Sequence, residues 1–337
     1  MHANVTAKSI LADGRWQAQH HGIGRFAIEV LSRLQHADIL TDGPWPLSLK
    51  NLFWQTSLLR NDHQHQVFFS PGFNPCLTSA LPYVLTVYDL THLAFPGKGK
   101  WVKKAFYELL IKPSLKRAHK ILTVSEYSKN SIVSWAKLSP EKVIVVGCGV
   151  SAQLTPNGER YQPGFPYLLH VGNNKPHKNR ERLINAFAKA NISPEMRLLF
   201  TGPTTTACEQ LIARHGLENR IVFCPTLSES TLASYYRGAS GLVLPSLLEG
   251  FGLPVIEAMA CGTPVLTANI TSLPEVAGGA ALLVDPYHVK AITHGIETLV
   301  NNRAIRETLI HKGFSRAREF SWDVTAEKVQ RVLDEVG

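Results

Sequence analysis

The chain has 337 residues, more than one hydrophobic core usually spans, so two domains are expected. Its 45% hydrophobic and 18% charged residues are those of an ordinary globular protein and exclude a disordered or fibrous chain. The net charge of +9 favours polyanions in general, but no helix-turn-helix, RNP or zinc-finger pattern accompanies it, so nucleic acid is not expected as a partner.

Five scattered cysteines, none at C-x-x-C spacing, point to reduced thiols and a cytoplasmic location rather than to a disulfide framework or zinc. No stretch of about 18 apolar residues is present to span a membrane, and the opening MHANVTAKSILADGRW has no apolar run suited to a secretory signal. The fourteen histidines are scattered, with no H-E-x-x-H and no Asp-x-Asp, so no metal site is expected.

The first predicted strand is Ser9–Ala12. After it comes Gly22-Ile23-Gly24-Arg25-Phe26-Ala27, spaced G-x-G-x-x-A, ahead of a helix predicted over Arg25–Leu34. The spacing fits either a tight strand-to-helix turn or a place where backbone approaches a phosphate. A dinucleotide fingerprint would need an acid at the end of a second strand, whereas Asp38 and Asp42 lie in loop-like sequence. Strands follow at Gln66–Phe69 and Tyr83–Val87, the latter running into Tyr88-Asp89-Leu90-Thr91-His92.

Between Lys98 and Lys120 stand eight bases against one acid, Glu108, with Trp101, Phe106, Tyr107, Leu109, Leu110 and Ile111 interleaved. Such a basic amphipathic helix suits an anionic membrane surface; the plainer reading is a solvated helix face. Strand Lys120–Val124 leads to a helix over Glu126–Ala136 capped by Ser125, and strand Val143–Val146 follows. The Pro- and Gly-rich stretch between Gln153 and Phe165 reads as a linker, which places the first domain at 1–155 and the second at 165–320.

In the second domain, strands are predicted at Tyr167–Val171, Arg197–Thr201, Arg220–Phe223, Gly241–Leu244, Thr263–Thr267 and Ala281–Val284. Helices lie between them at Asn179–Ala190, Thr206–His215 and Ser228–Arg237. Apolar runs alternating with helices define doubly wound α/β domains with parallel sheets. After Gly241–Leu244, the turn Glu249-Gly250-Phe251-Gly252 opens a helix over Leu253–Cys261 with Pro254 in its first turn and Gly262 beyond its end. Free amides and the positive end of that helix make the turn an anion site. Glu249 and Glu257 bracket it, and amides beside carboxylates suit a diphosphate carrying hydroxylated sugars. The last stretch, 321–337, reads as a helix.

The run Pro245-Ser246, Glu249-Gly250-Phe251-Gly252-Leu253-Pro254, Glu257-Ala258-Met259, Pro264-Val265 and Leu273-Pro274-Glu275 resembles the E-x7-E region of retaining glycosyltransferases of family 4, which have the GT-B fold. Further resemblances lie in Gly22-Ile23-Gly24-Arg25-Phe26, in Thr123-Val124-Ser125, and in Gly172-Asn173-Asn174-Lys175-Pro176-His177-Lys178-Asn179, where His177 holds the usual arginine position. Tyr88 stands where the family commonly has a histidine, while Asp89 fits its pattern.

The resemblance implies two Rossmann-like domains facing a central cleft, with the final helix crossing back to the first. It implies Lys178, Glu249, Asp89 and His92 as catalytic residues. For the donor it implies Gly22, Gly24, Asn173, His177, Lys178, Gly202, Glu249, Gly250, Phe251, Gly252, Leu253 and Glu257. The implied reaction is metal-independent and uses no cofactor. It moves a hexose, mannose from GDP-mannose by preference, to a saccharide or lipid-linked saccharide at the inner face of the cytoplasmic membrane, in bacterial surface polysaccharide synthesis. UDP-sugars and dTDP-rhamnose are the alternative donors, and a non-catalytic sugar-nucleotide-binding subunit is the alternative class.

Overall fold

The structure, a computed structural model, describes residues 9–18, 22–95 and 99–337. It has two compact units, one made of residues up to 149 together with 322–337, the other of 150–321.

The first unit is built on a six-stranded parallel sheet: β1 Ile10–Asp13, β2 Ala37–Leu40, β3 Val67–Ser70, β4 Tyr83–Thr86, β5 Lys120–Thr123 and β6 Val143–Val145, in the order β2-β1-β3-β4-β5-β6. The runs VFFS of β3 and YVLT of β4 are buried throughout, as strands covered by helices on both faces must be. Its helices are α1 Gly22–Leu31, α2 Leu49–Asn61, α3 Thr91–Ala94, α4 Lys100–Phe106, α5 Lys112–Arg117 and α6 Glu126–Ala136. A π-helical turn, Tyr107–Ile111, joins α4 to α5. Ser125 caps α6 by accepting from the Ser128 amide at 3.1 Å.

Two expectations are corrected here. Asp38 lies inside β2, not in a loop; β2 is an edge strand with one partner and half-exposed residues, so it lacks the apolar run that marks a buried strand. Gly22 and Gly24 are the first and third residues of α1, not a turn ahead of it, and the turn after β1 is taken by the 3-10 segment Gly14–Ala18. Lys98 lies outside the described residues, as does the side chain of Lys100.

The second unit repeats the plan with β7 Tyr167–His170, β8 Arg197–Thr201, β9 Ile221–Cys224, β10 Gly241–Leu244, β11 Val265–Ala268 and β12 Ala281–Val284, ordered β12-β11-β10-β7-β8-β9. Its helices are α7 Arg180–Lys189, α8 Thr206–His215, α9 Glu229–Gly238, α10 Leu253–Ala260, α11 Leu273–Ala277, α12 Val289–Asn301 and α13 Arg303–Ala317. Leu273-Pro274-Glu275 is the start of α11, with proline in the first turn, where its missing N–H costs nothing.

The core of this unit joins Leu168, Leu198, Val243 and Leu266 of the sheet to Leu183, Ile184 and Phe187 of α7 and to Ile292, Ile296 and Leu299 of α12. Truncating one of these, such as Leu183→Ala, costs about 2–5 kcal/mol. Residues 150–164, linker-like in composition, belong to this unit. Tyr161 stacks on Tyr235 with ring centroids 3.9 Å apart, and Arg237 donates to the carbonyls of Thr155 and Glu159.

The last helix, α14 Trp322–Val336, buries Val329, Val332 and Leu333 and packs on α1, β3 and β5 of the first unit.

Candidate active site

In the second sheet the chain runs from β7 outward to β8 and β9, then returns to place β10 on the other side of β7. The carboxyl ends of β7 and β10 therefore flank the point where strand order reverses, the position at which open α/β sheets bind ligands. The loops leaving these two strands carry the Lys178 and Glu249 motifs.

The β7 loop ends in a 3-10 turn, Pro176–Lys178, in which His177 and Lys178 are buried. The Lys178 Nζ donates to Glu249 Oε1 at 2.7 Å, with side chains only 11% and 12% exposed. Gly172 makes room for that lysine, since a Cβ there would stand 3.1 Å from its Cδ and Cε. The His177 carbonyl accepts from the Leu247 amide at 2.7 Å, so backbone as well as side chains join the two loops. Asn179 Nδ2 donates to the carbonyls of Pro245 and Pro286, at 2.9 and 2.8 Å. Asn173 Oδ1 is used locally, accepting from the Lys175 amide.

The β10 loop is fastened from behind. Ser272 Oγ donates to the carbonyls of both Glu249 and Phe251 at 2.9 Å, and the Glu249 amide donates to Thr271 Oγ1 at 3.4 Å. Phe251 is buried edge-on against Phe320. Gly252, at φ +102°, sits immediately before α10. A side chain at Gly252 would be strained and would meet Leu273 Cδ2 at 2.7 Å. No side chain caps α10, so the amides around Gly252 and Leu253 carry the helix's positive end. Gly250 is buried in the same turn.

One turn into α10, Glu257 Oε2 accepts from the Tyr236 hydroxyl at 2.8 Å. Burial, and then the Glu257 carboxylate, push the Tyr236 phenol well above its ordinary range, so it stays a donor.

Two residues here escaped sequence reading. Arg180, the first residue of α7, resembles a surface base but is buried. Its Nη2 donates to the Gly172 carbonyl at 2.6 Å and its Nη1 to that of Pro203 at 2.7 Å, so it ties the β7 loop to the Gly202 turn, where φ is +79°. His170, the last residue of β7, is fully buried with Nδ1 2.9 Å from the Val243 carbonyl. Burial, reinforced by the charge of Arg180, pushes His170 down to about 3. No motif signals either residue.

The remaining expected residues lie in the first unit. Asp89 Oδ1 accepts from the Thr91 amide at 2.8 Å, just ahead of α3. His92, on α3, packs its ring 6.5 Å from that of Phe73 and 6.4 Å from that of Tyr107. Tyr88 gives its hydroxyl to the Pro71 carbonyl at 2.6 Å and sets its ring edge-on to Phe26. Gly22 and Gly24 open α1. Among the described residues no group of three His, Cys, Asp or Glu is placed to hold a metal ion.

The fold is GT-B, and comparison with known proteins agrees on its class. A solved glycosyltransferase of lipopolysaccharide biosynthesis, WaaG, superposes with a TM-score of 0.75 at 15% identity, covering 96% of this chain and 99% of WaaG. The HepE protein of Anabaena, solved with UDP-glucose, superposes equally well at 0.75 and 16% identity, over 97% and 99% of the two chains. Residues 18–154 match the family described as Glycosyltransferase Family 4, and residues 155–316 match Glycosyl transferases group 1. The two matches adjoin and together take in most of the sequence, so the chain belongs to the family 4 glycosyltransferases. A similar protein is O-antigen chain mannosyltransferase B of Escherichia coli, 29% identical over 281 residues, which are 78% of this chain and 72% of that one.

Proposed function

We propose that this chain is a retaining hexosyltransferase that moves mannose from GDP-mannose to a hydroxyl of a saccharide, lipid-linked by preference, in bacterial surface polysaccharide synthesis. The observation that carries the reading is the Lys178–Glu249 pair at the strand-order reversal, beside the uncapped start of α10.

In this reading the donor diphosphate lies on the amides of Gly250–Leu253 and within reach of Lys178. Glu257 takes the ribose hydroxyls and Glu249 those of the transferred sugar. Asn173, His177 and Gly202 border the nucleotide. The bond from the sugar's anomeric carbon to the phosphate oxygen breaks, and negative charge grows on the β-phosphate. A fixed ammonium and oriented amides stabilise that charge most where it is greatest, in the transition state. The acceptor hydroxyl forms the new bond on the same face, and its proton passes to the leaving phosphate. Lys178 and the helix terminus do here what a metal does elsewhere, so the reaction is metal-independent. Asp89 and His92 are assigned to the acceptor side.

Mannose is favoured because the Escherichia coli relative is named a mannosyltransferase. The UDP-glucose held by HepE supports a UDP-sugar as the alternative donor. A non-catalytic sugar-nucleotide-binding subunit has one observation in its favour, the Tyr88 hydroxyl committed to a backbone carbonyl at a position where the family often has histidine. Transfer and hydrolysis measured with GDP-mannose, UDP-sugars and dTDP-rhamnose, alongside thermal-shift binding of each, test the proposal. Turnover with GDP-mannose alone is expected; binding without turnover of any donor overturns catalysis.

A further inference from the structure

Helix α2 buries Leu52 and Leu59 together with two amides, and it also carries apolar side chains outward. Asn51 and Gln55, one turn apart on its inner side, are fully buried. Asn51 Oδ1 accepts from Arg15 Nη1 at 2.7 Å, and Gln55 Oε1 accepts from Asn74 Nδ2 at 2.6 Å. Arg15 is itself paired with the buried carboxylate of Asp13. On the outer side, Leu49 and Phe53, also one turn apart, are 67% and 69% exposed, and Trp45 just ahead of the helix is 44% exposed. A surface helix in water ordinarily keeps such apolar side chains on its inner side.

Apolar side chains also face outward at α4. Trp101 and Val102 are each 75% exposed, and Leu109, on the π-helical turn that follows, is 71% exposed. Tyr107 and Ile111 of that turn face inward. The two places lie on one side of the sheet. Both follow the carboxyl ends of strands, β2 and β4, and right-handed crossovers put α2 and α4 on one face of the sheet. A row of rings, buried except for Trp45, runs beneath them: Trp45 to Trp16 at 5.9 Å, Trp16 to Phe73 at 5.7 Å, and Phe73 to Tyr107 at 6.0 Å. Exposed Lys103 and Lys104 stand beside the apolar side chains of α4.

We propose that this corner of the first unit docks on an anionic lipid bilayer, with Trp45, Leu49, Phe53, Trp101, Val102 and Leu109 entering the headgroup region. Tryptophan at two separate points suits the membrane–water boundary, and the lysines complement anionic headgroups. The apolar faces supply what charge alone does not, attachment that survives salt. This deepens the reading of a lipid-linked acceptor and rests on it for its purpose. It adds to the basic segment a second contact, on α2, made without any change of charge.

The test is sedimentation of the full chain with vesicles of phosphatidylglycerol mixed into phosphatidylcholine, at low and high salt. Leu49→Ser with Phe53→Ser is expected to weaken partition about tenfold or more with charge unaltered. Trp101→Ser with Val102→Ser is a second, independent pair, and all four side chains are exposed enough for the variants to fold. Lys103→Glu with Lys104→Glu should weaken binding most at low salt, with the deficit shrinking at high salt, where the charges are screened. Brominated lipid should quench wild-type tryptophan emission, less so in Trp101→Ser.

Partition of the Leu49/Phe53 variant equal to wild type, or emission untouched by brominated lipid, overturns the proposal. A wild-type dimer that ignores vesicles and dissociates in the same variant also overturns it, giving the surface to a second copy. Transfer to a short soluble acceptor is followed in parallel. Vesicle binding without transfer by any donor leaves the surface standing and refutes the reaction, while transfer without vesicle binding does the opposite.

Discussion

Lys178 and Glu249, 71 positions apart, meet at 2.7 Å with both side chains nearly buried, one from the loop after β7 and one from the loop after β10. Removing one member of such a pair strands the other charge, which is costlier than removing both. Lys178→Met and Glu249→Gln are therefore each expected to destabilise the protein by more than their share of the double variant, with a coupling energy of about 0.5–3 kcal/mol in urea unfolding. In turnover, Lys178→Ala should lower kcat more than it raises the donor KM, by about 10²–10³-fold, because the charge it answers grows toward the transition state. A loss confined to KM would mean that Lys178 holds only the ground state.

Glu257 and Tyr236 separate in a second experiment. Glu257→Ala removes a charged acceptor and is expected to weaken donor binding by about 1.5–3 kcal/mol. Tyr236→Phe removes only the 2.8 Å hydroxyl bond that orients the carboxylate, and should cost about 0.5–1.5 kcal/mol. Calorimetric titration with the donor reads both. Donor affinity unchanged in a folded Glu257→Ala protein would place the nucleotide elsewhere.

The fold was largely legible because buried parallel strands write themselves as short apolar runs, as in YLLH of β7 and GLVL of β10. What stayed illegible had no such pattern. Strand β2 is an edge with an aspartate in it, and α2 buries Asn51 and Gln55 beside Leu52 and Leu59 while exposing Leu49 and Phe53, so neither obeys the usual periodicity. Within the candidate site, the Glu249–Leu253 turn and its helix could be read from local chemistry. The partnership of Lys178 with Glu249, the Arg180 tie between two loops and the Ser272 fastening are long-range contacts made by strand order, which no local window contains.

Metal independence is checked directly. Transfer activity is expected to survive excess EDTA, since an ammonium and helix-terminus amides are assigned the charge that a divalent ion would otherwise answer. A complete loss restored by magnesium would overturn that assignment while leaving the Glu257 prediction untouched.

The last prediction concerns acid stability and rests on His170. Its Nδ1 meets the Val243 carbonyl, which only accepts, so Nδ1 carries the proton and the neutral ring is the form the fold holds. Burial, then the Arg180 charge, hold its pKa at about 3, against an ordinary 6.5. A depressed pKa means that below about pH 6.5 the unfolded chain binds a proton the folded chain refuses. The stability this histidine permits is thus complete above pH 6.5 and is lost as pH falls from there toward 3, at a slope of up to about 1.4 kcal/mol per pH unit. His170→Gln keeps an amide donor for Val243 but does not titrate. Between pH 7.5 and pH 5 the wild type should therefore lose up to about 2 kcal/mol more unfolding free energy than the variant, measured by urea denaturation. Parallel pH profiles for the two proteins would show that His170 already accepts its proton in the folded state, and with it a polar partner for Nε2.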